Sequence, residues 1–206
     1  MSVGWPPDPA PPRPTVYPPI PVVYTNEPPS LGEDLRDRLL ERRIVLASGR
    51  LDDAMATELA ARLMYLDGIG DDPIELRYSC SDGDLGAAIA VADTVELLGV
   101  ELRATAAGTV GGPALLPFAV ATRRLAHPHA TFRLVEPEVE IKGRATDIAA
   151  EAERHAALVT SFHRRLAHAT GRPVELIEAD FASHRVLSAD EALSYRLIDE
   201  ICAPRR

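Results

Sequence analysis

The sequence predicts an α/β domain of repeated strand–helix units packed in layers, preceded by a proline-rich arm. Three observations lead there. Short apolar runs of strand length alternate with longer stretches whose apolar residues recur at three- and four-residue steps. That is the pattern of parallel strands joined by crossover helices. Hydrophobic residues make up 46% of the 206 residues, enough for a sizeable core in one domain. Proline is concentrated at one end, with eleven of its 18 copies within residues 1–30.

Taken in order, residues 1–19 read as a polyproline-II or disordered extension, because proline fixes φ and lacks an N–H. Such an arm serves either as a solvated tail or, through Trp5, Tyr17 and Tyr24, as a docking segment. Leu35, Leu39 and Leu40 then recur at helical spacing in GEDLRDRLLERR. Residues 44–48 (IVLAS) read as a buried strand. Residues 52–66 follow as a helix with an acidic first turn. Residues 74–79 (IELRYS) read as the next strand, the Ala-rich 85–98 as a helix, and 101–106 as a third strand. Residues 112–121 (GPALLPFAVA) read as a short apolar helix that tolerates Pro113 in its first turn. A further strand is expected over 131–135 and a charged, β-leaning segment over 138–144. A long helix is expected from about 145 to 170, with Asp147, Glu151 and Glu153 early and Arg164, Arg165 and His168 late, which complements the helix dipole. Gly171 stops it and Pro173 opens another short helix.

Charge and composition exclude several functions. Twenty-two basic and 31 acidic residues give a net charge of −9, the wrong sign for neutralising phosphates, so no nucleic-acid partner is expected. No apolar run reaches the roughly 18 residues that span a bilayer, so no membrane partner is expected. No basic stretch followed by an apolar one marks a secretory signal. Cys80 and Cys202 are too few for a disulfide framework or a structural zinc site and fit a reducing cytoplasm.

The common catalytic signatures are missing. There is no Walker A loop, no G-x-G-x-x-G after a strand, no H-E-x-x-H and no G-x-S-x-G elbow. His127 and His129 flank Pro128 without a third ligand at useful spacing. His155, His163 and His168 on the long helix form no i, i+4 pair. No metal or cofactor is expected. The glycine-rich segment 107–114 (AGTVGGPA) leaves a strand and opens a helix. Such a turn either presents backbone N–H groups to an anion or lets a helix pack closely on a sheet.

Several longer segments resemble the proteolytic subunit of the Clp protease, the ClpP family. Residues 20–23 (IPVV) are similar to the start of its axial loop. Residues 39–46 (LLERRIVL) resemble its R-L-L-x-E-R-I-I-x-L segment, and Gly143 to Ile148 its G-x-A-x-D-I. Residues 188–199 (SADEALSYRLID) resemble its S-A-x-E-A-x-x-Y-G-L-I-D ending. The resemblance implies a ClpP/crotonase-like layered fold with a protruding handle helix. It divides the chain into an extension (1–19), an axial loop (20–33) and a ClpP-like domain (34–206) whose handle covers about 136–170. Members of that family are serine peptidases with a Ser-His-Asp triad, built as stacked heptameric rings and fed by an unfoldase ATPase.

Residue by residue, the resemblance implies a dismantled site. The family's nucleophile lies in G-x-A-A-S-[MA]-[GA]. The matching segment runs from Gly108 to Ala114 and puts Gly112 in the serine's place. The general base lies in [IML]-H-Q-P, and Val135 replaces the histidine in Leu134 to Pro137. The triad aspartate lies in D-x-x-R-D, and His184 replaces it. One oxyanion donor is the N–H after the nucleophile, where Pro113 has none. The other lies in N-S-P-G-G, of which Gly83 alone survives of the glycine pair, with Asp82 and Asp84 adding charge of the wrong sign. The expected function is a non-catalytic ClpP-like subunit in a homo- or hetero-oligomeric ring with an active paralogue and a Clp unfoldase. One alternative is a serine endopeptidase with a rearranged site, Ser81 with His184 being its best pair. Another is a peptide- or acyl-binding protein using the old cleft. Glu136, Glu138 and Glu140 would crowd like charge across a two-fold axis and so weaken ring stacking or make it hetero-specific.

Overall fold

The computed structural model describes residues 31–139 and 145–203. The expected extension, most of the axial loop, and Gly143 and Arg144 of the G-x-A-x-D-I segment lie outside these residues. Helix α1 (Leu31–Leu40) leads into β1 (Ile44–Leu51), α2 (Asp53–Ile69), β2 (Ile74–Gly83), α3 (Leu85–Leu97) and β3 (Leu102–Ala106). A second sheet starts at β4 (Thr109–Gly111). After a single 3-10 turn (Gly112–Ala114) come α4 (Leu115–Ala119), β5 (Arg123–Ala126) and β6 (Thr131–Arg133). Helix α5 (Ala145–Thr170), α6 (Val174–Ala182), β7 (Val186–Ser188), α7 (Ala189–Tyr195) and β8 (Glu200–Ile201) complete the chain.

The main sheet has five strands in the order β1-β2-β3-β5-β8, and every neighbouring pair is parallel. The smaller sheet, β4-β6-β7, pairs β4 with β6 in parallel and β6 with β7 antiparallel. The crossover helices bury their apolar stripes as the helical spacing requires. Leu59, Leu63 and Leu66 of α2 and Val91, Ala92 and Val95 of α3 are buried against the sheet.

Local signals set several boundaries. The Asp52 carboxylate accepts from Met55 N (2.9 Å) and caps α2. At α7, Ser188 and Glu191 form a reciprocal capping box, Glu191 Oε2 accepting from Ser188 N at 2.8 Å. The S-A-x-E-A signature is thus a helix start in physical terms. Arg196 ends α7 in the left-handed region at φ 63°, where the family's ending has glycine. The sequence reading matched α5 and opened α6 correctly, but β4, β5, β7 and β8 went unread. They are two to four residues long, too short for a period to show. The strand expected over 131–135 stops at Arg133, and β1 runs on to Leu51 past a bulge. Of the β-leaning segment expected over 138–144, residues 138–139 carry no regular structure and the rest lies outside the described residues.

One buried contact fixes the second sheet on the first. The Tyr78 hydroxyl donates to Ala114 O at 2.9 Å, inside a ring cluster with Phe118 and Phe132 (centroids 6.2 and 5.6 Å along the series). Burial pushes the Tyr78 phenol well above its ordinary value. Tyr78→Phe leaves the Ala114 carbonyl without this donor. It should cost about 1–2 kcal/mol, read as a lower urea midpoint at unchanged slope.

At the other edge, Arg124 donates its backbone N–H, Nε and Nη2 to Asp199 (2.8, 3.1 and 2.6 Å) and Nη1 to Ala169 O (2.9 Å). Burial alone would raise the Asp199 carboxyl. The hydrogen bonds and charge of Arg124 outweigh it and hold that carboxyl below the usual range. A depressed carboxyl stabilises the fold above its unfolded pKa, and the contribution is lost as pH falls through the folded one. Asp199→Asn should therefore flatten the fall of stability below about pH 4, measured by urea unfolding at stepped pH.

Candidate functional site

The turn that leaves β4 lies over the carboxyl ends of β1 and β2, where open α/β sheets form their clefts. A cleft of about 250 Å³ opens there. Gly83 at the end of β2, Gly112 of the 3-10 turn and Val135 beyond β6 all line it. So do Ser81, Asp82, Glu136 and Glu138, with Arg50 and Arg133. Three of the positions singled out in the sequence are thereby brought together. Pro113 is buried beside them in the first turn of the 3-10 segment.

His184 is not among the lining residues. It is exposed, at φ 54°, in the turn that follows α6. The β6–β7 ladder pairs Arg133 with Val186, and Leu134 N donates to Arg185 O (2.8 Å). Val135 and His184 come next in line, just where regular pairing ends. The His184 ring makes no hydrogen bond among the described residues. The turn is held instead by Asp180, which is buried and accepts from the Tyr195 hydroxyl (2.7 Å) and Arg185 Nη1 (3.0 Å). Burial and that carboxylate push the Tyr195 phenol upward.

Gly112 adopts φ +54°, a region that side chains other than glycine pay to enter. A Cβ built on it would lie 3.0 Å from Asp82 Oδ1. The space in front of the turn is thus bounded by a carboxylate of the chain itself. Of the two readings of the glycine-rich segment, an exogenous anion at Gly112 is disfavoured by the adjacent Asp82 carboxylate. Gly83 survives for a similar reason: a Cβ there would stand 2.8 Å from Leu51 Cβ and 2.9 Å from Leu51 O. The next amide, Asp84 N, is already given to Leu51 O (2.8 Å).

Asp82 and Asp84, read from the sequence as negative charge at the cleft, are both paired there with Arg50. The β1–β2 register shifts after Gly49, leaving Ser81 of β2 unmatched and pairing Arg50 with Asp82 at the cleft. Arg50 Nη1 pairs with Asp82 Oδ2 and its Nη2 with Asp84 Oδ1 at 2.6 Å. The hydrogen bond that Arg50 donates to Asp84 and the charge of Asp82 raise the Arg50 guanidinium further. Nothing in the linear sequence marks Arg50. The signal would have been a glycine at a strand end facing two aspartates across the next strand. Arg133 was legible in retrospect, since TFR turns Phe132 inward and Arg133 outward.

Behind the cleft, His163 of α5 is buried between Phe162 and Phe181. Its Nε2 lies 3.4 Å from Glu136 Oε2. His155 Nε2 approaches Pro137 O at 3.2 Å. His163 and His155 of α5 thus lie beside the segment around Glu136, and Glu136 lines the cleft. Glu138 is exposed, and Glu140 lies outside the described residues. Two further hydroxyl groups belong to Ser79 and Thr109. Thr109 Oγ1 is bonded to Thr131 Oγ1 (3.0 Å), and the Ser79 hydroxyl packs near Gly108. The thiol of Cys80 is buried and pushed up to about 11 by that burial, which makes it inert. No helix among the described residues is long and apolar enough to cross a membrane, and no three His, Cys, Asp or Glu side chains there group to hold a metal ion.

The sequence profile of the Clp protease family matches residues 30–205. The chain belongs to the Clp protease family. It is also similar to the ATP-dependent Clp protease proteolytic subunit 2 of Corynebacterium glutamicum. The two are 32% identical over 178 residues, covering 84% of this chain and 88% of the relative.

Gly112→Ser alone should not create a nucleophile. The side chain would meet the Asp82 carboxylate and strain the turn by about 1 kcal/mol. The variant should unfold at lower urea than the parent and take no label from a fluorophosphonate probe.

Proposed function

We propose that this Clp protease family protein is a non-catalytic subunit. It has a structural or regulatory place in a ring whose peptide hydrolysis is carried out by an active paralogue. The observation that carries the reading is the pair Gly112–Pro113 in a buried turn at the head of the cleft. If these are the positions of nucleophile and first oxyanion donor, the turn offers neither a hydroxyl nor an N–H. Val135 likewise offers no proton acceptor at the matching general-base position. In serine peptidases, loss of the nucleophile or base costs on the order of 10⁶ in turnover. A lost oxyanion donor costs roughly 10²–10³ by itself. No serine occurs from residue 100 to 160 to take over.

The rearranged endopeptidase has less support. Ser81 faces the cleft, but His184 does not line it, and His163 stands behind Glu136 with its ring buried. A proton route from Ser81 to either imidazole has no hydrogen bond to start from among the described residues. The binding-protein alternative keeps one supporting feature: a cleft of about 250 Å³ whose carboxylates Glu136 and Glu138 would favour a basic group.

Within the proposal, the partners are an active proteolytic subunit and a Clp unfoldase ATPase, in the cytoplasm. The handle covers about 136–170. Glu138 and Glu140 would disfavour stacking of two identical rings and so favour a mixed particle. Incubated alone with a fluorogenic peptide, the protein should show no turnover above buffer. Native mass spectrometry with the host's active subunit should show mixed rings. Cleavage by the pure protein that Ser81→Ala abolishes would refute the reading, as would a dilution-stable homo-tetradecamer that ignores the active subunit.

A further inference from the structure

Away from the cleft, the concave surface between α4, β5 and the second half of α5 forms an open trough of about 790 Å³. Its floor is small and apolar, with Ala119 and Ala169, and its walls carry Arg123, Arg124, Arg164 and Arg165 against the carboxylates Glu96 and Asp199. Four guanidinium groups at one place are an excess in a chain of net charge −9.

The hydrogen bonds divide these groups into two sets. Arg124 is spent on Asp199 and Ala169 O. Arg165 is spent on Asp93 (2.7 Å) and Glu96 (3.0 Å), and Arg123 on Glu200 (2.7 Å). They make a braced wall whose carboxylates are already engaged. The second set is Ser161, Arg164 and His168, three and four residues apart on one face of α5. All three are exposed, and their side chains make no hydrogen bond or ion pair among the described residues. The Thr122 hydroxyl accepts from Leu102 N (3.3 Å), which leaves its proton to donate. The trough thus presents donors without matching acceptors.

We infer that this trough docks an exposed Asp/Glu-rich segment of a protein partner. Arg164 and His168 would take its carboxylates, and the alanine floor its small apolar residues. A small phosphorylated ligand fits less well, because such sites enclose most of the ligand and this one is open along its length. A nucleic acid is disfavoured by the acidic charge of the whole chain. The same charge repels an acidic peptide at long range, so attraction can come only from the local arrangement. The inference stands whether or not the cleft hydrolyses peptides.

The test uses the full-length protein and a fluorescein-labelled twelve-residue peptide of Asp, Glu and Ala, followed by anisotropy. Binding should be saturable and weaken several-fold between low and 0.3 M salt. Arg164→Glu with His168→Glu should weaken it at least tenfold. Arg36→Glu with Arg42→Gln, on or beside α1, makes the same change in net charge and should leave it within twofold. Amide shift changes should fall on residues 119–124 and 161–169. The inference fails if the wild type does not bind at millimolar peptide or if both double variants weaken binding alike. It also fails if an oligonucleotide or a Ser/Ala peptide binds as well as the acidic one.

Discussion

The cleft, the turn and the second sheet all hang on one constraint: the chain must leave the central parallel sheet after β3 and come back over the end of β2. The buried hydrogen bond from Tyr78 to Ala114 O fixes how it does so. Tyr78 lies on β2 between β1 and β3, so the position of the 3-10 turn is tied to an interior strand of the main sheet. The Tyr78–Phe118–Phe132 ring series extends the same anchor into α4 and β6. This scaffold is held by apolar burial and by one satisfied polar contact, neither of which involves a triad position. The fold can therefore persist when the residues at the cleft change identity.

What the sequence disclosed and what it hid follow from length and from partners. Helix α5 is 26 residues long, and its pattern and charge order specify it without help. The parallel strands β1 to β3 are apolar enough to announce themselves. Strands β4, β5, β7 and β8 exist because a neighbour offers a ladder, and no stretch of two to four residues encodes that. At the cleft, Gly83, Gly112, Pro113 and Val135 were legible because each occupies a fixed place in a recognisable motif. His184 was legible as a departure, but not its exposure in a left-handed turn. Arg50 was hidden because its role depends on a bulge and on two aspartates across the next strand, contacts more than thirty residues apart in sequence.

Charge is segregated over this surface in a way the net value conceals. The cleft gathers Asp82, Glu136 and Glu138 with Arg50 as a clasp, while the trough gathers arginines with carboxylates as braces. Exposed pairs of this kind contribute little to stability, about 0–1 kcal/mol each. Their consequence lies in where free donors and acceptors remain. Around the cleft, Asp82 and Asp84 are held by Arg50, Glu136 is faced by His163, and Glu138 is exposed. Along α5, Arg164 and His168 are left over. The two surfaces thus invite ligands of opposite sign.

Active sites commonly store strain, because a reacting group must be held where an ordinary side chain would not settle. On the proposed reading, the turn at Gly112 is such a site once that demand is gone. A residue with a side chain would hold φ +54° only at a cost, and glycine holds it freely. Proline at the next position suits the first turn of a helical segment, where its missing N–H goes unneeded. Val135 asks for no partner at all. Asp82, close to the space a side chain at 112 would use, is bound by Arg50 rather than left to repel. Each of these residues satisfies its own local geometry, and together they leave nothing poised for chemistry. Restoring a hydroxyl would reintroduce strain at 112, displace the Asp82 carboxylate, and still face a proline where a donor is required. The obstacles are coupled through contact, so single substitutions cannot be expected to add.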